Sequence, residues 1–97
     1  MASLVKNISD KRDELVHAFE SAQGDFQAQL HFTNGYGVSV IRSQYSYGGK
    51  SGLFELAVLK DTGVEWDLCY DTEITGDVLG WLTAEEVVEY MERVSKL

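Results

Sequence analysis

The sequence predicts an α+β domain, a two-layer sandwich in which an N-terminal and a C-terminal helix pack on one face of a four-stranded antiparallel sheet, in the order α-β-β-β-β-α. Three observations lead there. Apolar residues recur at helical spacing near both ends of the chain. Between them lie four stretches that alternate apolar and polar side chains at period two. Those stretches form two pairs, each joined by a short segment ending in glycine, Thr33-Asn34-Gly35 and Asp61-Thr62-Gly63.

Leu4, Ile8, Leu15, Phe19 and Ala22 share one helical stripe, with Lys11-Arg12-Asp13-Glu14 between them and Gly24 as a stop. One helix over 4–22 is therefore expected, with a shorter helix capped at Ser9-Asp10 as the alternative. Phe26-Gln27-Ala28-Gln29-Leu30-His31-Phe32 then reads as a half-buried strand. A two-residue Asn-Gly turn would set Phe32 opposite Gly37 and Leu30 opposite Ser39, wasting the apolar face. A three-residue loop with Gly35 in the left-handed conformation pairs Phe32 with Tyr36, Leu30 with Val38 and Ala28 with Val40. The same device applied to 53–59 and 64–70 pairs Val58 with Trp66, Leu56 with Leu68 and Phe54 with Tyr70. Gly35 and Gly63 should then both have positive φ. The expected core face is Phe26, Leu30, Phe32, Tyr36, Val38, Val40, Phe54, Leu56, Val58, Trp66, Leu68 and Tyr70.

A turn-rich connection, 71–77, leads into Val78-Leu79-Gly80-Trp81-Leu82. Thr83-Ala84-Glu85-Glu86 has the form of a capping box, in which the threonine hydroxyl and the glutamate each satisfy a backbone amide of the other. Val87, Val88, Met91, Val94 and Leu97 supply the apolar stripe of the last helix.

Ninety-seven residues suit one domain, 1–97, and 44% apolar with 11% aromatic residues can fill its core. The single cysteine permits no intrachain disulfide and points to a reducing compartment. The first residues lack the apolar run of a signal peptide, and no stretch approaches the ~20 apolar residues of a membrane span, so a cytoplasmic protein with no membrane role is expected. Charge is unevenly distributed. Residues 1–50 balance five basic residues against five acidic ones, while 51–97 carry three against eleven and supply the whole net charge of −8. Such a chain repels phosphate, so direct nucleic-acid binding is not expected. A basic protein surface is the natural counterpart.

Neither enzymatic nor metal chemistry emerges from the motifs. His17 lies opposite the apolar stripe of its helix, and His31 points to the sheet face away from the helices. Cys69 falls two or more strands from His31, and Cys69 with Asp67 and Asp71 is a metal-ligand set of mismatched softness. Gly49-Lys50-Ser51 matches the end of a phosphate-binding loop, but position 44 is Gln where that motif needs Gly, and a strand follows where it needs a helix. No catalytic residue, metal or cofactor is therefore expected.

Two binding features remain. Tyr45-Ser46-Tyr47-Gly48-Gly49-Lys50-Ser51-Gly52 combines two tyrosines with three glycines, the composition of adaptable recognition loops. Its plain structural reading is a flexible connection between hairpins. Glu55, Glu65 and Asp67 alternate onto the non-core sheet face with Asp71 at its end, forming an acidic strip on which Asp67 would face Ala57. The expected partner-binding residues are thus Tyr45, Tyr47, Glu55, Glu65, Asp67 and Asp71. Glu85, Glu86, Glu89 and Glu92 read as a solvated helix face.

Asn34-Gly-Tyr-Gly-Val-Ser-Val40, Ser46-Tyr-Gly-Gly49, Gly52-Leu-Phe-Glu-Leu-Ala-Val-Leu59, Cys69-Tyr-Asp-Thr72 and Gly80-Trp-Leu-Thr83 resemble strings in small acidic proteins of tailed bacteriophages. The resemblance spans residues 34–83 and carries no catalytic residues. By analogy it implies an inhibitor or modulator of a host protein with a basic surface, such as a nucleic-acid-handling defence factor of the kind that anti-CRISPR and anti-restriction proteins oppose. The alternative is an accessory or structural factor in phage replication or assembly, a homodimer or larger homo-oligomer joined through the sheet face.

Overall fold

Gly35 takes a φ of 86°, and the first hairpin closes around it in the expected register, Leu30 opposite Val38 and Ala28 opposite Val40. The computed structural model describes residues 11–70, 72 and 78–97, and the backbone of 3–5. Its strands are β1 (Ser3–Val5), β2 (Phe26–Phe32), β3 (Tyr36–Arg42), β4 (Phe54–Asp61), β5 (Trp66–Leu68) and β6 (Leu79–Leu82). Its helices are α1 (Arg12–Glu20) and α2 (Ala84–Val94). The strands lie in the order β1-β2-β3-β4-β5, and β6 also pairs with β4. Since β5 joins β4 at Leu59–Asp61 and β6 joins it at Phe54–Leu56, the two occupy successive stretches of one strand. The α+β architecture is as expected, with the four antiparallel strands extended by β1 and β6.

The helices form one layer. Leu56, Val58, Val38 and Val40 point from the sheet into Val87, Val88, Met91 and Val94 of α2, all fully or almost fully buried. The capping box is present: Thr83 Oγ1 accepts from the Glu86 amide at 3.2 Å, and Glu86 Oε1 accepts from the Thr83 amide at 3.0 Å. α1 packs beside α2 and reaches the sheet through Phe19, whose ring meets Phe26 and Phe54 edge-on at 5.4 and 5.5 Å. Arg42 holds the chain after α1, donating to the carbonyls of Ala22 and Gly24 at 2.9 and 3.0 Å.

The first helix is shorter than its apolar stripe. Leu4 belongs to β1, which runs parallel to β2 with Ser3 opposite Leu30 and Val5 opposite Phe32. Lys11 stands at the N-cap without a side-chain hydrogen bond. The open edge of β2 offers Leu4 and Val5 a ladder of hydrogen bonds, which outweighs extension of a helix whose first turns would bury little. The alternative cap at Ser9-Asp10 lies outside the described residues.

The second hairpin departs from the expected register. Leu59, not Leu56, faces Leu68, Lys60 faces Asp67, and Asp61 faces Trp66. The cause is side-chain chemistry in the turn. Asp61 Oδ1 accepts the Gly63 amide at 2.8 Å, and Thr62 Oγ1 accepts the Glu65 amide at 3.2 Å while donating to the Glu65 carbonyl at 2.9 Å. These bonds brace a two-residue Gly63-Val64 turn, in which the Thr62 amide donates to the Glu65 carbonyl at 2.9 Å and carries the Asp61–Trp66 register to the tip. Gly63 has the expected positive φ, 90°, yet that φ suits either loop and leaves the register open. The slip is three residues. An odd slip exchanges faces, so Trp66 and Leu68 turn away from the helices and Cys69 enters the core in their place. Tyr70 is exposed rather than buried.

On the outer face, His31, Gly37, Leu59 and Leu68 form one row across four strands. The Trp66 ring reaches back along this row and stacks on His31, with centroids 3.8 Å apart and planes 10° apart. Gly37, lacking a side chain, leaves room for that approach. Leu59 is only 3% exposed beneath it.

Candidate partner-binding surface

The chain between β3 and β4 is the longest connection without a strand or α-helix among the described residues, and it is tightly hydrogen-bonded rather than a flexible connection. Ser46 Oγ accepts the Ser43 amide at 2.9 Å and donates back to the Ser43 carbonyl at 3.0 Å. The Gly48 carbonyl accepts from both Ser51 and Leu53 at 3.0 Å. Gly49–Ser51 forms a single 3-10 turn followed by a strand, which leaves no helix to complete a phosphate-binding loop.

This loop sits on β6. The Trp81 amide donates to the Tyr47 carbonyl at 3.1 Å. Two glycines permit the contact: a Cβ on Gly80 would lie 2.5 Å from Tyr47 Cβ, and one on Gly48 would lie 2.9 Å from Trp81 Cα. The backbones therefore touch where any side chain would separate them. On the other side, Glu55 Oε1 accepts the Tyr47 amide at 3.4 Å. Within this frame Tyr45 is 88% exposed and Tyr47 62% exposed.

β6 adds a third aromatic residue. Phe54 faces Leu82 and Leu56 faces Leu79, so three steps along β6 match two along β4. That extra residue is a β-bulge. Within it Trp81 has φ 59°, a left-handed conformation that a bulky residue seldom adopts, and its side chain is 62% exposed. Tyr47 and Trp81 line a shallow recess of about 190 Å³ with Gln44, Ser46, Gly48, Lys50 and Ser51. Trp81 is not among the partner-binding residues expected from the sequence. Gly80 inside an apolar run was the available signal, since such a glycine marks a bulge or a close backbone approach.

The acidic strip does not form. Glu55 lies beside the tyrosine loop on the outer face, opposite Ile41. Glu65 belongs to the exposed turn at the far end of β4, roughly 20 Å away at ~3.4 Å per residue. Asp67 faces Lys60, not Ala57, and so lies on the opposite face from Glu55. Its Oδ1 accepts the Leu68 amide at 2.9 Å. Asp71 lies outside the described residues. Asp67→Lys should therefore place like charges across the ladder and lower stability by about 0.5 kcal/mol; an equal or higher midpoint in urea would contradict the register.

The acidic residues of α2 are partly engaged. Glu92 pairs with Arg12 at 3.6 Å and Lys96 at 3.2 Å, while Glu85 and Glu89 are exposed. His17 is exposed, as expected. His31 and Cys69 lie on opposite sides of the sheet, which separates them further than the expected register did. Among the described residues no group of three or more His, Cys, Asp or Glu could hold a metal ion, and no helix is long and apolar enough to cross a membrane. Compared with known protein families, curated proteins and solved structures, the chain has no match.

Proposed function

We propose that this chain is a non-enzymatic binding protein that docks through its tyrosine loop on a host protein with a basic surface, and so inhibits or modulates it. The observation that carries the reading is the exposure of Tyr45 and Tyr47, 88% and 62%, on a loop tied at both flanks to β6 and Glu55. Rigid aromatic side chains bury large area on docking at small entropic cost. The net charge of −8 selects for a basic partner and hastens encounter with it. The inhibitory role, the phage origin and a host nucleic-acid-handling target rest on the resemblance of residues 34–83. A lone buried cysteine suits a reducing cytoplasm.

The test is capture from bacterial lysate with elution by salt. The Tyr45→Ala/Tyr47→Ala variant should lose its captured partner, by tenfold or more in affinity (about 1.4 kcal/mol), while its melting temperature stays nearly unchanged. A variant that melts several degrees lower and still binds would make the tyrosines structural lids.

One observation favours a second reading, self-association through the outer sheet face. The register moves Trp66 and Leu68 onto that face and Asp67 off it, which makes it less acidic and more apolar than the sequence implied. Molar mass measured across ionic strength separates the readings. A dimer that strengthens with salt supports the sheet face, and a monomer at all salt concentrations supports the loop.

A further inference from the structure

We propose that Trp81 and Tyr47 form an anchor cleft that grips one apolar side chain projecting from the basic surface of the partner protein. This rests on the binding reading above and assigns the loop surface a central contact and an occupant.

The first argument is backbone strain. Trp81 has φ 59°, where glycine is at ease and a large side chain is not. The ring does not recover that cost by packing inside the protein, because it is 62% exposed. The neighbouring Leu82 already fills the core position opposite Phe54. A strained backbone therefore holds the largest apolar side chain of the region in solvent.

The second argument is shape. The recess between Trp81 and Tyr47 measures about 190 Å³, below the ~300–1,000 Å³ of small-molecule sites. It accommodates a single side chain. Its geometry is set before binding: the Trp81 amide is bonded to the Tyr47 carbonyl at 3.1 Å, and Gly48 and Gly80 allow the two segments to touch. Pre-formed aromatic pockets of this kind are where binding energy concentrates in interfaces.

Charge decides the occupant. Lys50 lines the recess, so a cationic side chain inside it would meet a like charge. An apolar side chain meets no such penalty. The partner's cations belong around the cleft, where Glu55 bonds the loop from below and the exposed Glu85 and Glu86 open α2 a few residues after Trp81. The net charge of −8 disfavours an acidic partner overall and favours a basic one.

The experiment is selection of a displayed random-peptide library on the native protein, followed by binding of the enriched peptides as synthetic probes. Enriched sequences should carry one bulky apolar residue flanked by Lys or Arg. Such a peptide should shift tryptophan emission to the blue, and the shift should persist in Trp66→Phe, assigning it to Trp81. Trp81→Gly relaxes the backbone and should raise the melting temperature while weakening the peptide at least tenfold, and Trp81→Tyr should restore part of the affinity. Peptides that bind Trp81→Gly as tightly as the native protein overturn the anchor, as do enriched sequences that are acidic or lack an apolar residue. If those peptides are instead lost with Tyr45→Ala/Tyr47→Ala, the anchor fails and the loop reading stands. If nothing is enriched and lysate yields no salt-eluted partner, both fail.

Discussion

Replacing Gly48 by valine is expected to lower stability by about 3 kcal/mol, on the order of 15 °C in melting temperature for a domain of this size. Two costs combine there. The φ of 87° is unfavourable for any side chain and most for a β-branched one. The new Cβ would also meet Trp81 Cα at 2.9 Å and Leu53 Cβ at 3.1 Å, driving the loop off β6. Gly52→Val separates the two costs. Its φ is similar, 79°, but a Cβ there meets nothing within 4 Å. It should cost only the conformational part, about 1–2 kcal/mol. Urea denaturation of both variants measures the difference. Equal losses would mean that the loop is not seated on β6, and the recess between Tyr47 and Trp81 would then have no fixed shape.

Asn34→Asp should cost about 2 kcal/mol, more than Asn34→Ala. The side chain works in two directions. Asn34 Oδ1 accepts the Tyr36 amide at 3.0 Å and shapes the first hairpin. Its Nδ2 donates to the carbonyls of Val94 and Leu97 at 2.9 and 3.2 Å, closing the C-terminal end of α2 from 60 residues away. Aspartate keeps the acceptor and loses the donor. It also sets a carboxylate against carbonyl oxygens at the negative end of the helix dipole. Alanine loses the acceptor bond as well but adds no repulsion, so aspartate falls below it only if the amide faces the carbonyls that end α2. If aspartate proves no worse than alanine in urea denaturation, the amide does not cap α2.

Legibility along the chain followed the range of the interactions involved. The first hairpin was readable because its apolar alternation and a three-residue Thr33-Asn34-Gly35 loop agreed, and only one register set Leu30, Val38 and Val40 on the core face together. The second was misread because its loop is the two residues Gly63-Val64 and not three, with Thr62 bonded to Glu65 across it. Asp61 and Thr62 bind their own backbone, a contribution that alternation does not reveal, and an odd slip then carried Trp66, Asp67 and Leu68 to the wrong faces. The acidic strip vanished with that slip. The tyrosine loop, by contrast, could be singled out from composition alone, because tyrosine beside glycine in a long connection is poorly explained by core packing.

What the sequence by itself determined is the α+β class, the capping box of α2, the first hairpin register and the exposed tyrosine loop. Each depends on residues close in the chain or on a periodic pattern that only one arrangement satisfies. The tertiary structure alone decided the rest. Ser3–Val5 became a strand because β2 had an open edge to receive it. Asn34 became a helix cap because the hairpin tip arrives at the end of α2. Trp81 was turned outward because β6 must gain a residue against β4 while its neighbour Leu82 stays in the core. These outcomes arise where separate segments compete for the same edge, cap or volume, and such competition has no local signature.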